Sequence, residues 1–187
     1  MKKIAITGNI SSGKTVFLDY LKENGFKTLS LDDTTSKIYT REDFIKFLKN
    51  EFNTTDKKEI SKTVFDNPVM LKKLENFIYP LIKYEMDSFF DKNKTEKLVF
   101  VEAPVLFEAG FEKYFDKIIF IAAPLKTRLE RLISRNNCTE TEAVKRMKAQ
   151  LNEESKIKKS DIIIKNTGTK EEFLKKADAV KEELMLL

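Results

Sequence analysis

Residues 8 to 15 read Gly8-Asn9-Ile10-Ser11-Ser12-Gly13-Lys14-Thr15, directly after the apolar run Ile4-Ala5-Ile6. The spacing fits G-x-x-x-x-G-K-S/T, a loop whose backbone N–H groups turn inward around phosphate. Glycine at 8 and 13 permits that turn, which a Cβ would obstruct. Lys14 has the charge and reach for the β- and γ-phosphates of a nucleoside triphosphate, and the Thr15 hydroxyl suits the coordination shell of Mg²⁺. Residues 16–24 have a helical pattern, so a helix N-terminus adds partial positive charge to the same place. The whole octapeptide is therefore the predicted ATP-binding segment, with ATP and Mg²⁺ as cofactors.

Other chemistry-bearing residues fall just after predicted strands. Asp32 and Asp33 follow a strand predicted over 26–31, with Asp32 looking across at the phosphate loop from the neighbouring strand. A carboxylate there accepts a proton from an acceptor hydroxyl or holds Mg²⁺ through water; a polar turn with an N-cap aspartate is the other reading. Glu102 ends a strand predicted over 97–102, as a Walker-B-like acid assisting Mg²⁺ or as a solvated strand end. The following Ala103-Pro104-Val105-Leu106-Phe107-Glu108 reads as a pocket wall or as core. Arg128, Arg131 and Arg135 share a helical spacing of i, i+3 and i+7, and Arg146 follows on the next predicted helix. In a chain that otherwise prefers lysine, these arginines suggest a lid that neutralises a transferring phosphoryl group, against a plain solvated face. Asn166-Thr167-Gly168 follows the fifth predicted strand, as an edge to the nucleotide base or a plain turn.

The elements that must position these residues alternate. Strands are predicted at 2–7, 26–31, 97–102, 117–122 and 161–165. Helices are predicted at 14–24, 42–52, 57–65, from 68 to about 91 with a kink or break at Pro80, and from Pro124 to about 135. Thr139 with Glu142, and Thr169 with Glu172, are capping boxes for two more helices. Phe173, Ala177, Val180 and Leu184 form one core-facing stripe. Alternation of this kind predicts right-handed βαβ units around a parallel sheet, with the ligand at the strands' carboxyl ends.

At 187 residues the chain is expected to form one domain with an insertion. Hydrophobic residues are 41% and charged residues 35%, the balance of a soluble globular chain. No apolar run approaches a membrane span, and the first strand leaves no room for a signal peptide, so the expected location is cytoplasmic. The net charge of +5 suits a polyanionic ligand, but the lysines are scattered among acids, so no nucleic-acid partner is expected. The chain has no histidine, which excludes a histidine base or metal ligand from its own side chains. Asp or Glu must then take any proton, which phosphoryl transfer tolerates. GTPases fit poorly: Asn93-Lys94-Thr95-Glu96 ends in glutamate where the guanine-specifying motif needs aspartate, and it precedes a strand.

The order and spacing of these pieces resembles the dephospho-coenzyme A kinase family from the phosphate loop to Gly168. Ser30-Leu31-Asp32 stands where the family has Asp-Ala-Asp. Val64-Phe65 and Tyr79-Pro80-Leu81-Ile82 resemble its V-F and H-P-L-I segments, and residues 102–108 its acid-x-P-L-L-F-E. Arg135-Asn136, Thr139 and Arg146-Met147-Lys148-Ala149-Gln150 resemble its lid motifs. Residues 161–168 resemble its closing A-D-x-V-I-x-N-x-G. Ser30, Tyr79 and Asn136 replace the family's aspartate, histidine and aspartate.

The resemblance implies an α/β P-loop NTPase fold: a three-layer sandwich with a five-stranded parallel sheet, a helical acceptor-binding insertion at about 36–92 and a lid at about 124–152. It implies ATP-dependent phosphorylation of the ribose 3′-hydroxyl of dephospho-coenzyme A. Asp32 is the implied base; Lys14, Arg135 and Arg146 are electrostatic catalysts, and Thr15 is the metal ligand. Arg135 and Asn166 are expected to join the ATP site. Asp32, Tyr79, Pro104, Leu106 and Phe107 are expected to meet the acceptor. No obligate protein partner is implied. Two alternatives stay open: a kinase for another small acceptor, and an ATP-binding module without turnover.

Overall fold

The computed structural model describes residues 1–148, 150 and 152–186. Ala149 and Leu151 of the predicted lid lie outside the described residues. The chain divides into two compact units, residues 1–29 with 93–187, and residues 30–92.

The first unit is built on a five-stranded sheet in the order β2-β3-β1-β4-β5. Its strands are β1 (Lys2–Thr7), β2 (Lys27–Ser30), β3 (Leu98–Glu102), β4 (Lys117–Ala122) and β5 (Ile162–Lys165). The pairs β1–β3, β1–β4 and β4–β5 all run parallel, as crossover connections require. Ile4, Ile6, Phe100, Ile119 and Ile121 project from one face onto α1 (Lys14–Glu23) and α9 (Lys170–Met185). Phe17 and Phe173 meet there edge to face at 6.4 Å. Ala5, Val99, Val101 and Phe120 alternate with them and are also buried, so both faces of the sheet are covered. Between β4 and β5 the chain runs through α6 (Leu125–Asn136), α7 (Glu140–Lys148) and α8 (Glu153–Lys158). Both predicted capping boxes form. Thr139 and Glu142 exchange bonds of 2.9 and 3.3 Å, and Thr169 and Glu172 bonds of 2.9 and 3.2 Å. Asn137, at φ 46°, ends α6 in the left-handed region, where asparagine is tolerated.

Two expectations about the second strand are corrected. β3 stands between β1 and β2, so Asp32 does not follow a strand adjacent to β1. The burial explains the order: every residue of β3 is buried, whereas Lys27–Ser30 are exposed or half-buried, as befits an edge. The strand also stops at Ser30, because Leu31 begins a helix.

That helix, α2 (Leu31–Ile38), opens the second unit. Its Asp, Thr and Ser residues are poor helix formers. Capping and burial compensate. The Ser30 hydroxyl accepts from the Asp33 N–H at 3.3 Å, and Leu31, Thr34 and Ile38 are buried at i, i+3 and i+7. The unit continues with α3 (Glu42–Phe52), α4 (Lys57–Asp66) and α5 (Pro68–Lys92). Phe44, Phe47 and Phe77 cluster, the last two stacked at 4.1 Å. Residues 68–92 form one helix rather than two, with Pro80 inside it. Proline removes one donor, but Ile78, Ile82, Met86 and Phe90 keep a buried four-residue period straight across it. Among the described residues, no helix is long and apolar enough to cross a membrane.

Candidate functional site

β1 is buried from Ile4 to Thr7 and delivers the chain to the loop at the sheet's carboxyl edge. Gly8 has φ +148°, and a Cβ there would run into the Ile121 carbonyl oxygen of β4 and lie 2.8 Å from Ser12 Oγ. Gly13 has φ +107°, with Asn166 Nδ2 2.5 Å from where its Cβ would be. Ser11 takes φ 61° between them. Backbone in this conformation aims N–H groups into a concave anion nest.

The loop is braced from several sides. The Asn166 side chain donates to the Ser12 carbonyl at 2.8 Å, while its own N–H continues the sheet to the Ala122 carbonyl at 2.7 Å. Lys14, 8% exposed, donates its Nζ to the Asn9 carbonyl at 3.2 Å. The Thr15 hydroxyl donates to Glu102 Oε1 at 3.1 Å, and that carboxylate is only 3% exposed. Glu102 is thus a buried group facing the loop, not a solvated strand end.

Polar atoms in the loop are left over. Thr7 Oγ1, Asn9 Oδ1, Ser11 Oγ and Ser12 Oγ are buried without a hydrogen-bond partner. Such orphans are costly in a finished interior and suit a polar ligand. Beside them opens a cleft of about 720 Å³, within the range of small-molecule sites. The cleft is walled by residues 11–16, by Glu130, Arg131, Ser134 and Arg135 of α6, and by Asn166, Lys170 and Phe173.

The arginine row on α6 divides. Arg131 and Arg135 line the cleft, and Arg135 Nε donates to Asn136 Oδ1 at 3.1 Å, so the asparagine keeps an acceptor beside it. Arg128 is 6% exposed, donating Nε to the Ala123 carbonyl at 3.0 Å and Nη2 to Glu153 Oε2 at 2.8 Å. It is a buried tie rather than part of the row that faces the cleft. Arg146 is exposed on α7 and is not among the residues lining the cleft.

The predicted acceptor residues are spread over both units. Asp32 and Asp33 lie exposed in the first turn of α2. Tyr79 is half-buried on α5, its hydroxyl donating to Glu75 Oε1 at 3.0 Å. Pro104 is half-buried in the loop after β3. Leu106 is 0% and Phe107 8% exposed. The chain leaving a fully buried strand folds straight back on itself, with the Phe111 N–H bonded to the Leu106 carbonyl at 2.9 Å, and turns these side chains into the core.

Two participants carried no assigned role in the sequence. Gln150 Oε1 accepts from the Ile10 N–H at 2.7 Å, and Glu153 Oε2 accepts from Asn9 Nδ2 at 3.0 Å. The partners are 140 and 144 residues apart, beyond any local pattern. Glu130 and Ser134 had a legible signal, since they adjoin Arg131 and Arg135 on the same helical face.

No histidine, cysteine or acidic cluster among the described residues is sufficient to hold a metal alone. Thr15 and Glu102 offer one hydroxyl and one carboxylate oxygen, a pair that suits Mg²⁺, which keeps waters and takes phosphate oxygens as its other ligands.

Comparison with known proteins agrees with this geometry. The family model for dephospho-CoA kinase matches residues 2–172. A curated dephospho-CoA kinase of Rickettsia conorii is 38% identical over 172 residues, covering 90% of this chain and 89% of the relative. A Thermus thermophilus crystal structure superposes with a TM-score of 0.86 at 32% identity, covering 98% of this chain and 97% of the other. The dephospho-CoA kinase structure from Campylobacter jejuni gives 0.71 at 29%, covering 97% and 96%. With its phosphate loop, braced lysine and arginine-lined cleft, and with a family model spanning nearly its whole length, the chain belongs to the dephospho-CoA kinase family.

Proposed function

We propose that this chain transfers the γ-phosphoryl group of ATP to the ribose 3′-hydroxyl of dephospho-coenzyme A. The observation that carries the reading is the phosphate nest with its orphaned hydroxyls, opening onto a cleft lined by Arg131 and Arg135. The 3′-oxygen attacks the γ-phosphorus, the bond to the β–γ bridging oxygen breaks, ADP leaves, and the hydroxyl proton passes to a carboxylate. In a chain without histidine, Asp32 is the proposed acceptor of that proton.

Lys14 and the cleft arginines hold the triphosphate and stabilise charge on the phosphoryl oxygens as transfer proceeds. Arg146 is assigned the same role from α7. Asn9 and the rest of the loop other than Ile10, whose N–H Gln150 holds, supply N–H donors, and Asn166 keeps the loop in shape. The Thr15 hydroxyl, with Glu102 behind it, would hold Mg²⁺. Bound there, the ion neutralises phosphate charge and fixes the triphosphate's orientation. The helical insertion at about 36–92, with Tyr79, and the Pro104 loop are the proposed acceptor side of a single kinase domain whose lid spans about 124–152. The reading needs no nucleic-acid, membrane or obligate protein partner, and it assigns the reaction to the cytoplasm.

The test is incubation of the pure protein with dephospho-coenzyme A, ATP and Mg²⁺, followed by mass spectrometry. One phosphoryl group is expected on the 3′ position. Asp32→Asn is expected to lower kcat by about a hundredfold or more while ATP binding survives. Turnover of another small acceptor in place of dephospho-coenzyme A would replace the substrate, and unchanged turnover by Asp32→Asn would dismiss the base.

A further inference from the structure

Gln150 and Glu153 of α8 touch the phosphate loop from outside the cleft. Gln150 Oε1 accepts the Ile10 N–H at 2.7 Å. Glu153 Oε2 accepts both Asn9 Nδ2 at 3.0 Å and Arg128 Nη2 at 2.8 Å. Asn9 and Ile10 are the second and third residues of the octapeptide, the stretch not braced by Asn166 or Thr15. Asn9 is also where Lys14 is anchored, through its carbonyl.

We propose that Gln150 and Glu153 form a positioning clamp that fixes Asn9 and Ile10 of the phosphate loop and so sets its affinity for a nucleoside triphosphate. The inference rests on the reading of this loop as a triphosphate site.

Three features make the clamp stiff. Arg128 reaches Glu153 from a buried position and is itself pinned to the Ala123 carbonyl at the end of β4. The side chain of Asn152 caps α8, accepting the Glu154 N–H at 2.8 Å. Lys156, one turn beyond Glu153, is 0% exposed with Glu108 Oε1 2.6 Å from its Nζ. A lysine ammonium is buried only when paired, so α8 cannot rotate or slide without stranding the charge. The same short helix therefore holds the phosphate loop at one end and the loop after β3 at the other.

Neither clamp residue offers its hydrogen-bonding oxygen to the reacting atoms, because both oxygens are spent on the loop. Holding the loop acts alike on the ground and transition states, which changes KM and leaves kcat in place. A residue acting on the phosphoryl group in flight would change kcat instead.

The experiment measures binding of a non-hydrolysable ATP analogue with Mg²⁺ by calorimetry, with steady-state kinetics and thermal melting beside it. Glu153→Leu removes the shared acceptor, whereas Glu153→Gln keeps an oxygen of the same reach. Gln150→Met is nearly isosteric and lacks the carbonyl, and it leaves the Arg128 tie intact should Glu153→Leu fail to fold. Glu153→Leu and Gln150→Met are expected to weaken analogue binding and raise KM for ATP by about tenfold, with kcat within about twofold of wild type. Glu153→Gln is expected to recover most of the affinity. Wild-type affinity in Gln150→Met and Glu153→Leu would overturn the clamp, as would a loss confined to kcat. Absence of analogue binding in the wild type would overturn the triphosphate reading and the clamp with it, whereas wild-type binding with unaffected variants would overturn the clamp alone.

Discussion

The phosphate loop and α6 border one cleft, yet they are specified differently. In the loop, eight consecutive residues carry the conformation, and two glycines answer to identifiable crowding, Gly8 by the Ile121 carbonyl and Gly13 by the Asn166 side chain. In the α6–α8 segment, neighbouring residues of one type have unlike roles. Arg131 and Arg135 look into the cleft, while Arg128, on the same predicted face, is buried and bonded to Glu153. Backbone-built sites are local and recur as motifs. Side-chain-built supports depend on where distant elements land.

The largest effect expected from the comparison is on the loop side. Lys14→Ala should lower kcat/KM by about a thousandfold, measured as ATP-dependent phosphorylation of dephospho-coenzyme A. Activity near wild type would remove the lysine from the reaction. Gly8→Ala forces a Cβ against the Ile121 carbonyl and should cost about 3 kcal/mol in denaturant unfolding. Gly25→Ala is the control, for Gly25 has φ +84° with open space around it and should cost about 1 kcal/mol.

The division within α6 is tested next. Arg128→Ala should destabilise the fold by about 2 kcal/mol, since it strands the Ala123 carbonyl and the Glu153 carboxylate. Arg135→Ala should leave the melting temperature nearly unchanged and lower kcat by about tenfold or more. Equal melting temperatures for the two variants would erase the distinction.

The smallest effect lies at the sheet's far end. Burial raises the Asp161 pKa, but the Lys117 side chain at 2.9 Å and the Ile118 N–H at 2.8 Å outweigh it and hold the carboxyl below its ordinary value. Stability from a depressed carboxyl is present above the unfolded pKa and lost as pH falls through the folded one. Acid melts should therefore show Asp161→Asn closing its gap to wild type below the ordinary carboxylate range. A gap that stays constant into strong acid would remove the linkage.

Much of the fold was legible because it repeats local rules. Apolar runs marked the strands, and Thr139 and Thr169 marked two helix starts by capping. Helix α2 was hidden because its composition favours turns, and its Ser30 cap looked like the end of a strand. Of the kink or break expected at Pro80, the break does not occur, and buried residues continue on both sides of it. In the site, the octapeptide and Asn166 could be found from sequence order. Gln150 and Glu153 could be seen but not assigned, because nothing local tells which of many polar residues will reach across the sheet. Leu106 and Phe107 stayed ambiguous because a pocket wall and a core share the same apolar alphabet.

Lys156 gives this lysine-rich chain a built-in reporter. Amine-acylating reagents mark lysines in proportion to their contact with water, and most of this chain's lysines lie open to them. An ammonium with no exposed surface stays unlabelled for as long as α8 is seated. The rate at which an acyl group appears on Lys156, read by peptide mass, therefore times how often that helix lifts away.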